Sequence, residues 1–231
     1  MHPRYAISIP SAFPDLRPMA EAVYRPVSWG YVPRGEGEGR ELLVAERFKK
    51  ADPLRAGELV IPGGGMKEIA ARHRYGLFAH AFTARREVLE ETGVNIPPES
   101  GTHQRTEVIG NLAAAPLLKA RPVGSPKVDA IISPDEWVYV FYRDSGKAYA
   151  GKLVRFAGYL LNEPVNQQDA DARNPRYLQL AEALRRRGEF TPACQVLLEM
   201  IEAAEGLQPL ERDGDIVLEG NAEEFSIAPP E

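Results

Sequence analysis

Apolar residues along the chain follow two patterns, one with the spacing of strands and one with the spacing of helices. Short apolar runs rich in β-branched and aromatic residues predict strands. The predicted strands are 22–32, 41–48, 59–61, 107–112, 128–132, 137–142 and 153–161. Apolar residues recurring every three or four positions predict helices at 77–92, 174–187 and 192–204. Strands interspersed with helices are typical of an α/β protein.

Glycine, proline and polar residues separate these elements. They predict an exposed loop at 35–39, a polar connection at 49–57, a proline-interrupted loop at 113–126 and a turn at 143–146. Asn174-Pro175 reads as the start of a helix that stops at Gly188. We therefore divide the chain into an N-terminal arm over 1–22, one domain over 23–206 and an acidic C-terminal tail over 207–231.

Composition narrows the class of protein. The sequence is 44% hydrophobic and 26% charged, which is ordinary for a globular protein, and its formal charge of -5 argues against a nucleic-acid partner. The apolar runs are too short to span a bilayer, and residues 1–22 lack the apolar region of a signal peptide. The single cysteine, Cys194, is interpreted as buried filler. We expect a cytoplasmic protein without a membrane partner, and leave a homodimer open.

One face of the predicted helix 77–92 is unusually acidic. Glu87 lies three residues before Glu90 and four before Glu91, so the three carboxylates share a face and repel one another. An acidic face is usually just solvated. Here, however, a short apolar strand at 59–61, upstream of the helix, ends in a predicted turn of Pro62 and three glycines, where the backbone can approach a ligand closely. Together these features indicate a divalent cation, because Mg2+ takes oxygen ligands.

The second half of this segment resembles the signature of the Nudix hydrolase family. The signature reads G-x5-E-x7-R-E-U-x-E-E-x-G-U, where U is aliphatic. Its second half is matched by Arg86, Glu87, Val88, Glu90, Glu91, Gly93 and Val94. The first half departs from it, because the family's Glu and Gly fall on Phe78 and Arg72. We interpret this as an insertion over about 66–75, from which Glu68 could supply the missing carboxylate.

The resemblance implies an α/β/α sandwich around a mixed sheet and a Mg2+-dependent hydrolase, with Mn2+ as the alternative ion. It implies Glu87, Glu90 and Glu91 as metal ligands, together with a backbone carbonyl near Gly64 or Gly65. It makes Arg86 a structural residue that holds the loop before the helix, while Gly93 reads as the helix stop. The implied substrate is a nucleoside diphosphate linked to another group, such as ADP-ribose. The alternative is a Nudix-like sensor that binds a nucleotide metabolite without cleaving it.

Three further groups of residues are candidates for the chemistry. For a general base we rank Glu163 first, ahead of Asp169 and Asp171, and take Glu87 next. His80, seven residues before Glu87, could reach a substrate phosphate, with a capping or surface role as the alternative. Aromatic residues on strands could stack a base or belong to the core. They are Trp29, Tyr31, Trp137, Tyr139 and Tyr142.

Overall fold

The structure is a computed structural model that describes most of the chain. The described residues are 6–8, 24–48, 56–67, 77–98, 105–108, 118–125, 128–133, 139–144, 146–159, 161–168, 170–206, 216–218 and 226–228. The helices are α1 (Leu77–Thr92), α2 (Leu180–Arg185) and α3 (Pro192–Ala204). The first seven strands are β1 (Ala6–Ser8), β2 (Tyr24–Tyr31), β3 (Pro33–Arg34), β4 (Glu41–Arg47), β5 (Leu59–Val60), β6 (Gly63–Gly65) and β7 (Arg105–Val108). The other seven are β8 (Leu118–Ser125), β9 (Val128–Ser133), β10 (Tyr139–Asp144), β11 (Lys147–Ala157), β12 (Ala172–Gln179), β13 (Ile216–Leu218) and β14 (Ser226–Ala228).

The strands form one large mixed sheet and two smaller ones. The large sheet runs β13-β8-β9-β10-β11-β2-β6, and β7 also pairs with β11. The pairing of β2 with β11 is parallel, whereas the others in this sheet are antiparallel. A second sheet joins β12, β4, β3 and β5, and the third pairs β1 with β14. The result is a mixed α/β fold, as predicted.

Alternate residues of β2 face different layers, because side chains in a strand alternate between the two sides of a sheet. Trp29 and Tyr31 lie in one buried cluster with Leu197 and Ile201 of α3. On the other side, a methyl group on Gly30 would overlap the side chain of Val88 in α1. The large sheet is therefore covered by α3 on one side and by α1 on the other.

Two predicted segments have a different structure. The predicted proline-interrupted loop 113–126 contains β8, in which Pro122 pairs with Ala130 just before a shift in register. The helix predicted from Asn174 begins only at Leu180, because 172–179 is a strand paired with β4. The register shifts between Arg173 and Arg176, and Asn174 has a φ of 50°. A bulge of this kind accommodates Pro175, which has no N–H to donate to the ladder.

Other predicted boundaries shift by a few residues. The strand predicted from residue 107 begins earlier, at Arg105, and the strand predicted to end at Tyr142 continues to Asp144. Residues 109–112 and 137–138 lie outside the described residues. The strand predicted at 153–161 begins earlier, at Lys147, directly after the turn at Gly146. The predicted tail contains two strands, one of which pairs with a strand of the predicted arm.

Among the described residues, no helix combines the length and apolar character that crossing a membrane requires.

Candidate active site

Helix α1 carries the acidic face and has the predicted bounds, Leu77–Thr92. It ends at Gly93, which has a φ of 70° and donates its N–H to the Leu89 carbonyl at 2.9 Å. Asn162 holds this end from a later segment by donating from Nδ2 to the Gly93 carbonyl at 2.9 Å. Its Oδ1 accepts the Asn95 N–H at 3.0 Å. The end of α1 is thus fixed by backbone and side-chain hydrogen bonds.

The three glycines after Pro62 form strand β6 rather than the predicted turn. They pair antiparallel with β2 in a register that sets Gly64 opposite Ser28. A methyl group on Gly64 would lie 2.5 Å from the Glu87 carboxylate, whereas one on Gly65 would meet nothing within 4 Å. Glycine at 64 therefore leaves room for the Glu87 carboxylate, which a larger side chain would displace.

The other two glutamates of the acidic face bond to β6 or to residues next to it. Glu91 Oε2 accepts the Gly63 N–H at 3.0 Å. Glu90 pairs with Arg86 at 2.5 Å and with Lys67 at 3.2 Å, and half of its side chain is exposed. Arg86 also pairs with Glu87 and donates from Nη2 to the Gly65 carbonyl at 2.7 Å. Arg86 thus ties the helix to the last glycine before the loop.

Glu87 is the most enclosed carboxylate of these pairs. Its side chain is 13% exposed, compared with 47% for Glu90. Burial raises the pKa of Glu87 above its usual value, against the opposing effect of the Arg86 guanidinium. The charge of Glu90 adds to the increase. Even with Arg86 beside it, the negative charge of Glu87 is only partly compensated.

The three glutamates and the nearby backbone carbonyl offer only oxygen ligands, which a hard cation prefers. The three carboxylates are not directed at a common point in this structure. Among the described residues, no three His, Cys, Asp or Glu side chains are grouped so that one ion could contact them all. Arg86 draws Glu87 and Glu90 toward its guanidinium, and Glu91 is bonded to Gly63. The oxygen-only set and the side-chain-free space at Gly64 nevertheless fit Mg2+ or Mn2+. The Gly65 carbonyl, which was predicted as a metal ligand, accepts a hydrogen bond from Arg86.

His80 does not have any of its predicted roles. It is fully buried, with Nδ1 2.7 Å from Ser28 Oγ of β2. Burial lowers the pKa of His80 to about 3, and the nearby charge of Lys152 in β11 acts in the same direction. The imidazole is therefore neutral at physiological pH. Sequence analysis missed Ser28 and Lys152, although a lysine within the apolar stretch 148–157 was a signal of a buried polar partner.

We expect His80 to make the protein less stable in mild acid. Below pH 6.5 the unfolded chain binds a proton that the buried imidazole cannot accept, so stability falls as the pH falls toward the folded pKa of about 3. The loss between pH 7 and pH 5 should be about 2 kcal/mol. Urea unfolding at both pH values should give a flatter dependence for His80→Asn. An equal dependence in both proteins would contradict the burial of a neutral imidazole.

The remaining candidates fall in different places. Glu163 lies beside Asn162 at the end of α1, and its exposed carboxylate pairs with Arg34 at 2.8 Å. Asp171 is exposed, and its backbone carbonyl accepts the Phe48 N–H at 2.7 Å. Asp169 lies outside the described residues. Glu163 as the general base stays a prediction, because its present contact is with Arg34.

Two of the five aromatic candidates belong to the core. Trp29 and Tyr31 are buried, which agrees with the core alternative for both residues. Tyr142 is half-buried and stacks on Tyr149, with ring centroids 5.0 Å apart. Trp137, the side chain of Tyr139 and most of the predicted insertion 66–75, including Glu68, lie outside the described residues.

Cys194 agrees with its prediction as buried filler. It is 2% exposed, and its sulfur accepts the Ile61 N–H at 3.3 Å. Burial raises the pKa of the thiol to about 11, so it remains protonated at neutral pH. A protonated, enclosed thiol is unsuited to nucleophilic attack.

The site therefore defines a class of protein in which a carboxylate-bearing helix packs against a glycine strand of a mixed sheet. No protein-family model and no curated protein matches the sequence. Among solved structures, a Nudix hydrolase from Alicyclobacillus acidocaldarius aligns over 84% of this chain and 100% of its own, with a TM-score of 0.52 and 15% identity. The chain has the Nudix hydrolase fold, and at this identity the likeness establishes the fold alone.

Two further structures align less closely. A Nudix hydrolase from Nitrosomonas europaea covers 79% of this chain and 90% of its own, with a TM-score of 0.46 and 14% identity. The Nudix domain of NrtR from Shewanella oneidensis, solved with ADP ribose, covers 83% and 93%, with a TM-score of 0.46 and 15% identity. At these lower TM-scores, the two structures add no argument about activity or substrate.

Proposed function

We propose that the protein is a Mg2+-dependent pyrophosphohydrolase that cleaves a phosphoanhydride bond in a nucleoside diphosphate linked to another group. The observation that carries this proposal is the contact between Glu87 and Gly64. The strand lacks a side chain at the point where the largely buried Glu87 carboxylate lies. A solvated acidic face would need no such space.

In this proposal Glu87, Glu90 and Glu91 hold the ion, with a backbone carbonyl of Gly64 or Gly65. When bound there, Mg2+ would neutralise charge on the diphosphate and lower the pKa of an attacking water. Arg86 keeps α1 against β6 through the Gly65 carbonyl, and so holds the carboxylates beside the glycine strand.

A general base must lie within about 3 Å of the attacking water, directly or through a second water. We propose Glu163 for this role, since Asn162 ties its segment to the end of the carboxylate helix. Glu163 would first have to release Arg34. The side chain of Glu163 is 77% exposed and that of Arg34 is 45% exposed. Exposed ion pairs stabilise a protein by at most about 1 kcal/mol, so breaking this pair costs little free energy.

A second candidate function is a sensor that binds a nucleotide metabolite without hydrolysis. The ion pairs of Arg86 with Glu87 and Glu90 favour it, because these carboxylates already have a positive partner within the chain. A protein that only binds a nucleotide could keep Arg86 as the positive partner of these carboxylates and would not need a metal ion.

A hydrolysis screen with product identification tests the proposal. The full chain is incubated with ADP-ribose, nucleoside diphosphate sugars and dinucleoside polyphosphates, each with Mg2+ and with a chelator. We expect Mg2+-dependent release of a nucleoside monophosphate from at least one compound. Binding of a compound by calorimetry, without turnover in Mg2+ or Mn2+, would instead identify the sensor.

A further inference from the structure

A buried hydrogen bond joins α1 to the sheet two helical turns before Glu87. His80 Nδ1 lies 2.7 Å from Ser28 Oγ, and both residues are fully buried. His80 also bonds to the backbone of Val27, the preceding residue of β2. Because residues seven apart share a helix face, His80 and Glu87 face the same sheet.

The helix also makes apolar contacts with the sheet near these two residues. Ala84 and Val88 are fully buried where the helix crosses Gly30, and a methyl group on Gly30 would overlap Val88. Glycine at position 30 allows this close approach, but apolar contacts are not directional. A hydrogen bond weakens steeply when its angle changes, so it fixes position along the helix axis.

Ser28 connects this bond to the glycine strand. Its partners across the sheet are Gly64 on one side and Lys152 on the other. Partners in register direct their side chains to the same face, which here is the face under α1. Ser28 therefore binds His80 in the row of the sheet where Gly64 leaves space for Glu87.

We infer that Ser28 and His80 are positioning residues, which set the location of Glu87 relative to Gly64 and thereby the metal affinity of the site. This inference rests on the proposed function for the metal, although not for the position of the helix. Without the bond, α1 would keep its apolar contacts and the link from Arg86 to the Gly65 carbonyl, but the distance from Glu87 to the glycine strand would be less tightly fixed.

The test compares four variants of the full chain with wild type, using Mn2+ as the probe and its electron paramagnetic resonance signal to measure binding. Ser28→Ala and His80→Leu should each weaken Mn2+ binding by about 10-fold or more, as loss of a group that orients a ligand does. His80→Asn, which keeps a polar atom near the position of Nδ1, should restore binding to within a factor of about 3 of wild type. Thr83→Val is the matched control, since Thr83 is a buried hydroxyl on the same helix without a hydrogen-bond partner among the described residues.

A second measurement does not depend on the metal. The Gly63 N–H bonds to Glu91, so its hydrogen exchange reports the contact of α1 with β6. Exchange at Gly63 should accelerate in Ser28→Ala and stay unchanged in Thr83→Val. If His80→Leu does not fold, Ser28→Ala and His80→Asn still test whether the bond between Ser28 and His80 positions α1 against β6. If Ser28→Ala has the same Mn2+ affinity and the same Gly63 exchange rate as wild type, the inference is wrong. If the wild-type protein does not bind Mn2+, only the proposed function is overturned.

Discussion

Replacing Glu91 with glutamine is expected to lower Mg2+-dependent turnover by roughly 100-fold or more, since removal of a group that only orients a ligand already costs 10- to 100-fold. Glu90→Gln should have a similar effect. Both amides remove a negative charge from the shared face, so the repulsion with Glu87 decreases and the fold should be retained. The side-chain carbonyl of the introduced glutamine can still accept the Gly63 N–H that Glu91 accepts at 3.0 Å. Steady-state rates and urea unfolding of each variant provide the measurement.

Glu182→Gln is the control for this pair of variants. Glu182 also lies on a helix, pairs with an arginine four residues later and has a side chain 38% exposed, close to the 47% of Glu90. The control should keep wild-type turnover. If Glu90→Gln and Glu91→Gln both keep full Mg2+-dependent activity, the helix does not hold the metal, and the proposed mechanism is wrong.

Replacing Gly64 with alanine is expected to weaken Mn2+ binding and turnover by about 10- to 100-fold, with the free energy of unfolding changed by no more than about 1 kcal/mol. The new methyl group would lie 2.5 Å from the Glu87 carboxylate. That carboxylate is the end of a flexible side chain, so it can swing away at little cost to the fold. The site would then lose one of its three proposed carboxylate ligands. Calorimetric titration of Mn2+ and thermal unfolding test the two halves of this expectation.

The neighbouring glycine provides a matched control. A methyl group on Gly65 would meet nothing within 4 Å, and no positive φ constrains either position. Gly65→Ala should therefore retain both Mn2+ affinity and activity. Equal effects of the two substitutions would mean that stiffening of β6, rather than displacement of Glu87, alters the site.

Local patterns predicted the acidic helix because everything that defines it is local. Apolar spacing gives the length of α1, and Gly93 marks its end with a φ of 70°. The spacing of Glu87, Glu90 and Glu91 is likewise a property of one helix. Their contact with the glycine strand depends on β6 pairing with β2, which the sequence alone does not reveal.

The errors arose where tertiary pairing overrides a local signal. Asn174-Pro175 is a good helix start in isolation, yet pairing with β4 keeps the chain extended and confines the proline to a bulge. His80 was misjudged for a related reason. Its surroundings come from Ser28, 52 residues earlier, and Lys152 in another strand, and these bury it where local sequence suggests exposure.

The pairing of β1 with β14 has a practical consequence. Among the described residues, each of these three-residue strands has only the other as a partner, joined in register from Ala6 with Ala228 to Ser8 with Ser226. Deleting one would leave the other as an open strand edge, and open edges of this kind promote association between separate molecules. When the protein is shortened for experiments, the two segments should be kept or removed together.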